Sequence, residues 1–148
     1  MRRYELVLFD LDGVLIDSRS VMELSWASVQ ERFDVDRPFE DYFALIGRPF
    51  ADIMATLGLD DRATDIESVY MATSLVNFDA GLQFTGIDDM LRGLAGAGTR
   101  MGIITSKDAV RTEKILHRLP VEFEVVKTPE SAPRGKPCLL YTSDAADE

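Results

Sequence analysis

The chain has 148 residues, 26 of them acidic and 16 basic, for a formal net charge of −10; 46% are apolar and 28% charged. That balance is ordinary for a folded globular domain and disfavours a disordered or membrane-spanning chain. The negative charge also argues against a nucleic-acid or anionic-membrane surface, although a few basic residues can still line a pocket for a small anion.

The opening MRRYELVLFD holds too few apolar residues before Asp10 for a signal segment or a spanning helix, so export is not indicated. The single cysteine is Cys138, which leaves residues 1–137 without a disulfide, a cysteine-based zinc site or a cysteine nucleophile and fits a reducing, cytoplasmic setting.

YELVLF (4–9) is a nearly continuous apolar run, as expected of a strand buried on both faces of a parallel sheet, and it stops at Asp10. From Ser18 the period becomes helical: Met22, Trp26, Val29 and Phe33 form one apolar stripe. DRPFEDYFALIG predicts a short helix ending near Gly47. RPFADIMATLG predicts another, with Pro49 in its first turn, Phe50, Ile53, Met54 and Leu57 on one face and Gly58 at its end. A further helix is expected over 62–78 with Ile66, Val69 and Tyr70 inward.

TGIDDMLRGLAGAG predicts a helix capped by Thr85, with Asp88 three residues on and Gly96 and Gly98 closing it. MGIIT is a second buried strand. SKDAVRTEKILHRL is a helix with Ala109, Thr112, Leu116 and Leu119 inward and His117 at the surface, and VEFEVV is a third strand. This alternation predicts an α/β fold, a doubly wound parallel-sheet core of 1–17 and 82–137, interrupted after its first strand by a small helical unit of 18–81.

In FDLDGVLIDS, Asp10 and Asp12 are two apart in extended chain, so both carboxylates project to one side where the strand ends. Ligands of open parallel sheets bind at that edge. Two carboxylates so close require a cation or a shared proton, and either suits catalysis: Asp10 can bind a divalent metal and attack phosphorus, and Asp12 can protonate the leaving oxygen and then activate water. Gly13 lets backbone N–H groups turn toward a phosphate. Taken alone, a D-x-D pair also reads as a turn or an opportunistic cation site. IITSK places Thr105 and Ser106 where hydroxyl and N–H groups can hold phosphoryl oxygens, although such residues also serve as plain helix caps. RGKP places Lys136 in a turn, where it can neutralise phosphate charge or simply be solvated.

FDLDGVLIDS, IITSK and GKP, in this order, resemble the first three motifs of the haloacid dehalogenase superfamily of phosphohydrolases, over residues 4–137. The helical insertion resembles the small cap of its phosphoglycolate phosphatase and β-phosphoglucomutase branch. The resemblance implies a Rossmann-like core with Asp10 as phosphorylated nucleophile, Asp12 as acid/base, Thr105 as phosphate-binding hydroxyl and Lys136 as charge-neutralising lysine. It further implies Mg2+ held by the Asp10 carboxylate, the Asp12 backbone carbonyl and an acidic residue of a fourth motif. LIGRPF resembles the cap loop that faces the site in this branch, which makes Gly47 and Arg48 candidates for reading the substrate's non-reacting end; Ser106 and Lys107 are further candidates for substrate contact. Linkers near Asp17 and 79–84, with Gly81 as hinge, would let the cap open and close.

The implied function is a magnesium-dependent phosphatase of a small phosphorylated metabolite, with glycolate, sugar and nucleotide phosphates all compatible. The alternatives are a phosphosugar mutase using the same phosphoenzyme and an inactive or merely phosphate-binding fragment lacking the fourth motif. Asp144 and Asp147 do not replace that motif: a parallel neighbour of the first strand needs a crossover of about a dozen residues, and only Pro137 and Cys138 separate Lys136 from Leu139. CLLYTSDAADE moreover resembles an in-frame translation of a transposon-end sequencing adapter, so 138–148 is expected to be non-native; without its three acids the formal charge changes from −10 to −7. The core is then expected to be incomplete at its C-terminus, and the 148-residue chain poorly soluble or inactive.

Overall fold

The structure, a computed structural model, describes residues 4–131, so Lys136, Cys138, Asp144 and Asp147 lie outside the described residues. Asp17–Leu82 forms one compact unit and the chain before and after it forms a second.

The second unit is built on a three-stranded parallel sheet in the order β1 (Leu6–Phe9), β4 (Arg100–Ile104), β5 (Val125–Lys127). Leu6 pairs with Arg100 and Phe9 with Ile103, while Gly102 pairs with Val125, so all three strands end together at one edge. β4 is central and buried from Met101 to Ile104. Its Gly102 is required by close approach: a Cβ there would lie 2.8 Å from Leu8 Cδ2 and 3.1 Å from the Val125 carbonyl. β1 is half-buried rather than buried, because among the described residues it is paired on one side only. β5 is shorter and later than the 121–126 expected; the backbone joins β4 only at Glu124, whose N–H donates to the Met101 carbonyl at 2.8 Å.

Helix α5 (Ile87–Gly96) leads into β4 and α6 (Ala109–Leu116) into β5. The expected Thr85 cap is not formed. Gly86, at φ 86°, takes the cap position, the helix begins at Ile87, and Asp88 Oδ1 is buried without a hydrogen-bond partner. In α6 the inward face is Thr112 and Ile115, continued by Leu119 beyond the helix, while Ala109 is exposed and Leu116 half-buried. A two-residue strand β2 (Ile16–Asp17) pairs with β3 (Leu82–Gln83). Gly81, just before β3, is extended at φ −92° and ψ 121°, a conformation open to any residue.

The Asp17–Leu82 unit is helical: α1 (Arg19–Phe33), α2 (Phe39–Phe43), α3 (Phe50–Leu57) and α4 (Ala63–Val76). The apolar stripes converge as their spacing predicts, with Trp26, Val29, Ile53, Met54, Leu57, Ile66 and Tyr70 in one buried cluster. Trp26 is fully buried and stacks on Tyr42 with ring centres 4.6 Å apart, and its indole N–H donates to the Arg37 carbonyl at 2.9 Å. Among the described residues no helix is long and apolar enough to cross a membrane.

Candidate active site

The parallel register brings the ends of β1 and β4 side by side, which assembles Asp10, Asp12, Gly13, Thr105 and Ser106 at the carboxyl edge of the sheet. Leu11, between the two aspartates, is fully buried, the anchor expected when its neighbours point the other way. Asp10 Oδ1 accepts the Leu11 N–H at 2.7 Å. The chain then folds back tightly, with the N–H groups of Val14, Leu15 and Ile16 all donating to the Leu11 carbonyl. Gly13, at φ 76°, permits that turn, and its own N–H donates to the Ile16 carbonyl at 2.9 Å. The Gly13 amide is thus bonded within the turn.

Thr105 is fully buried at the end of β4. Its N–H donates to the Lys127 carbonyl at 3.0 Å and its Oγ1 accepts the N–H of Lys107 at 3.0 Å. That bond directs the Lys107 side chain back across the edge, where Nζ lies 3.2 Å from Asp12 Oδ1. With side-chain exposures of 7% for Lys107 and 13% for Asp12, bulk water screens this pair little. Burial pushes the Lys107 ammonium below its ordinary pKa; the Asp12 carboxylate opposes that shift and Arg111 adds to it.

The helix cap is Asp108, not Thr105 or Ser106. Its carboxylate accepts the Arg111 N–H at 3.0 Å and pairs with the Arg111 guanidinium. Burial pushes the Asp108 carboxyl up, but the charge of Arg111 and its hydrogen bonds outweigh burial and hold it below the ordinary value. Glu130 Oε1 accepts the Ala109 N–H at 3.2 Å. Two amides in the first turn of α6 are therefore occupied by the chain's own carboxylates.

Gly47, at φ 100°, and the exposed Arg48 lie in the turn joining α2 to α3, within the helical unit. The Asp12–Lys107 pair and the Asp108–Arg111–Glu130 set are what sequence reasoning missed. Residues 106 and 107 form a bend rather than extended chain, so alternation along the chain carries no signal for the pair, whose members are 95 residues apart.

A sequence model of the haloacid dehalogenase-like hydrolases matches residues 7–141. The chain belongs to that family. It is 30% identical over 126 residues to the tyrosine-protein kinase PtkA of Mycobacterium tuberculosis, a match covering 82% of this chain and 43% of the relative. It is 26% identical over 149 residues to the phosphoglycolate phosphatase of Nitrosococcus oceani, covering 93% of this chain and 66% of the relative. The fold of a hydrolase from Pseudomonas syringae superposes with a TM-score of 0.87 at 18% identity, over 98% of this chain and 69% of that one. The described parallel sheet with its flanking helices is thus the Rossmann-like α/β core of haloacid dehalogenase-like hydrolases. The chain spans less than half the length of the kinase and just under two thirds of the phosphatase.

Proposed function

We propose that the protein is a magnesium-dependent phosphatase acting on a small phosphorylated metabolite through a phosphorylated aspartate. The observation that carries this reading is the pairing at the sheet edge: two aspartates at the end of β1, the second held by a buried lysine from the loop after β4, beside the buried Thr105. Relatives named as a phosphoglycolate phosphatase and a 5'-nucleotidase point to the same class of reaction.

The donor chemistry fits magnesium. The Asp10 carboxylate and the Asp12 backbone carbonyl are hard oxygen ligands, and magnesium commonly takes one or two carboxylates and completes its shell with water and substrate phosphate. Among the described residues no group of three or more His, Cys, Asp or Glu is placed to hold a metal. When bound, the ion would offset the charge of the phosphate and of Asp10.

In this reading the Asp10 carboxylate attacks phosphorus as Asp12 delivers a proton to the departing alcohol oxygen. Asp12 then takes a proton from water, which attacks the phosphorylated Asp10 and restores both side chains. Thr105 and Ser106 bind phosphoryl oxygens, Lys136 neutralises charge, and the Gly47–Arg48 turn of the helical unit, acting as a cap, reads the substrate's far end, where a guanidinium suits a carboxylate or a second phosphate.

The test is magnesium-dependent release of phosphate from p-nitrophenyl phosphate. In the full-length protein, wild-type turnover that disappears with Asp10→Asn is expected, and turnover that survives this substitution sinks the reading. Isomerised sugar phosphate formed from a hexose 1-phosphate without free phosphate moves it to a mutase.

A further inference from the structure

We propose that Lys107 is a positioning residue for Asp12: its buried ammonium, 3.2 Å from Asp12 Oδ1, fixes the direction in which that carboxylate points. The inference rests on the phosphatase reading for its catalytic meaning, but the ion pair itself does not.

The geometry holds Lys107 from several sides. Its N–H donates to Thr105 Oγ1 at 3.0 Å, and its carbonyl accepts from Thr112 Oγ1 at 3.3 Å. The next residue, Asp108, caps α6 and pairs with Arg111. The lysine thus leaves a loop whose backbone is bonded to the side chains of Thr105 and Thr112, both buried. Asp12, by contrast, sits in the tight turn after β1, where its backbone bridges Ile16. Across that gap the charge pair links a turn after β1 to a loop after β4, which no local sequence signal would require. An acid/base must be presented within a fraction of an ångström of the oxygen it serves, and a misplacement of about 1 Å can cost on the order of 100-fold in rate.

The competing role for Lys107 is direct contact with the substrate phosphate. Four variants of the full-length protein separate the two: Lys107→Met, Lys107→Arg, Asp12→Asn and the Asp12→Asn/Lys107→Met double. With p-nitrophenyl phosphate, Lys107→Met is expected to lower kcat about 10- to 100-fold with KM nearly unchanged, and Lys107→Arg to recover part of the loss. In the Asp12→Asn background the methionine should add no further loss, because the residue through which Lys107 acts is already gone. A rise in KM with kcat intact, or a full additional loss in that background, overturns the proposal.

Thermal unfolding decides the ion pair independently of turnover. Asp12→Asn, which strands a buried ammonium, should lower Tm by about 10 °C, and the double variant should recover most of that shift. Additive Tm losses overturn the proposal even in an active enzyme. A wild type without turnover whose Tm shifts are non-additive rejects the phosphatase reading and keeps the Lys107–Asp12 restraint. Where Lys107→Met does not fold, Lys107→Gln takes its place in both measurements.

Discussion

The helical unit and the carboxyl edge of the sheet are held by contacts of different kinds. In the helical unit the core is carbon: Tyr42 stacks on Trp26 and lies against Phe39, Phe50 and Tyr70, and the buried hydroxyl of Ser25 is satisfied by its own helix at the Val21 carbonyl. At the sheet edge the buried set is polar: Thr105, Lys107, Thr112, Lys127 and Thr128. An apolar cluster responds to a substitution in proportion to the volume lost, whereas a buried polar set fails by leaving a specific partner unsatisfied. Losses should therefore grade with side-chain size in the helical unit and turn on the partner removed at the edge.

The largest effect is expected from removing the centre of the aromatic cluster. Trp26→Ala deletes a fully buried side chain, its stacking on Tyr42 and its bond to the Arg37 carbonyl, and should cost about 3–5 kcal/mol. Trp26→Phe keeps a ring in place and should cost less than half as much. Urea unfolding followed by far-UV circular dichroism checks both, since Trp26 is the only tryptophan and its fluorescence is lost with it. Equal losses for Ala and Phe would show that the hydrogen bond, not packing, governs this core and would break the comparison.

Packing governs inside the sheet unit as well, and Gly102 tests it. Gly102→Val puts a branched side chain between Leu8 and the backbone of Val125 and should cost about 1–3 kcal/mol. Gly102→Ala should cost less, because Leu8 Cδ2 can rotate away while the Val125 carbonyl, 3.1 Å from the new Cβ, has to give only slightly. Thermal unfolding of both variants tests this; a silent Gly102→Val would mean that β4 is not held as closely as its register implies.

What was legible follows the same division. The stripe from Met22 to Phe33 and the face formed by Phe50, Ile53, Met54 and Leu57 declare their helices because burial there repeats with the helical period. The parallel core strands were legible as apolar runs, and Asp10 and Asp12 because a strand end fixes where alternate side chains go. The start of α5 was not legible, since Thr85 and Gly86 both suit a cap and only the backbone chooses between them. The bounds of β5 depend on where Glu124 meets β4. The Asp12–Lys107 pair and the Glu130 bond to α6 depend on partners 95 and 21 residues apart, for which one sequence has no periodic signal.

The smallest effect concerns the cap that steadies the loop of Lys107. Asp108→Ala removes the acceptor of the Arg111 N–H and should cost about 1 kcal/mol at neutral pH. Asp108→Asn keeps a capping oxygen and loses only the charge facing Arg111, so it should cost less. The pH dependence has a definite sign. The folded-state pKa of Asp108 lies below its ordinary value, so its ionised form contributes stability that is fully present above the unfolded value of about 3.9 and is lost as pH falls through the lower folded value. The gap in unfolding free energy between wild type and Asp108→Asn should then be constant from pH 7 to 5 and shrink below about pH 4. A gap that widens on acidification would mean that burial of the carboxyl outweighs Arg111. In that case the polar edge would behave like the carbon core after all, held by what it excludes rather than by what it pairs.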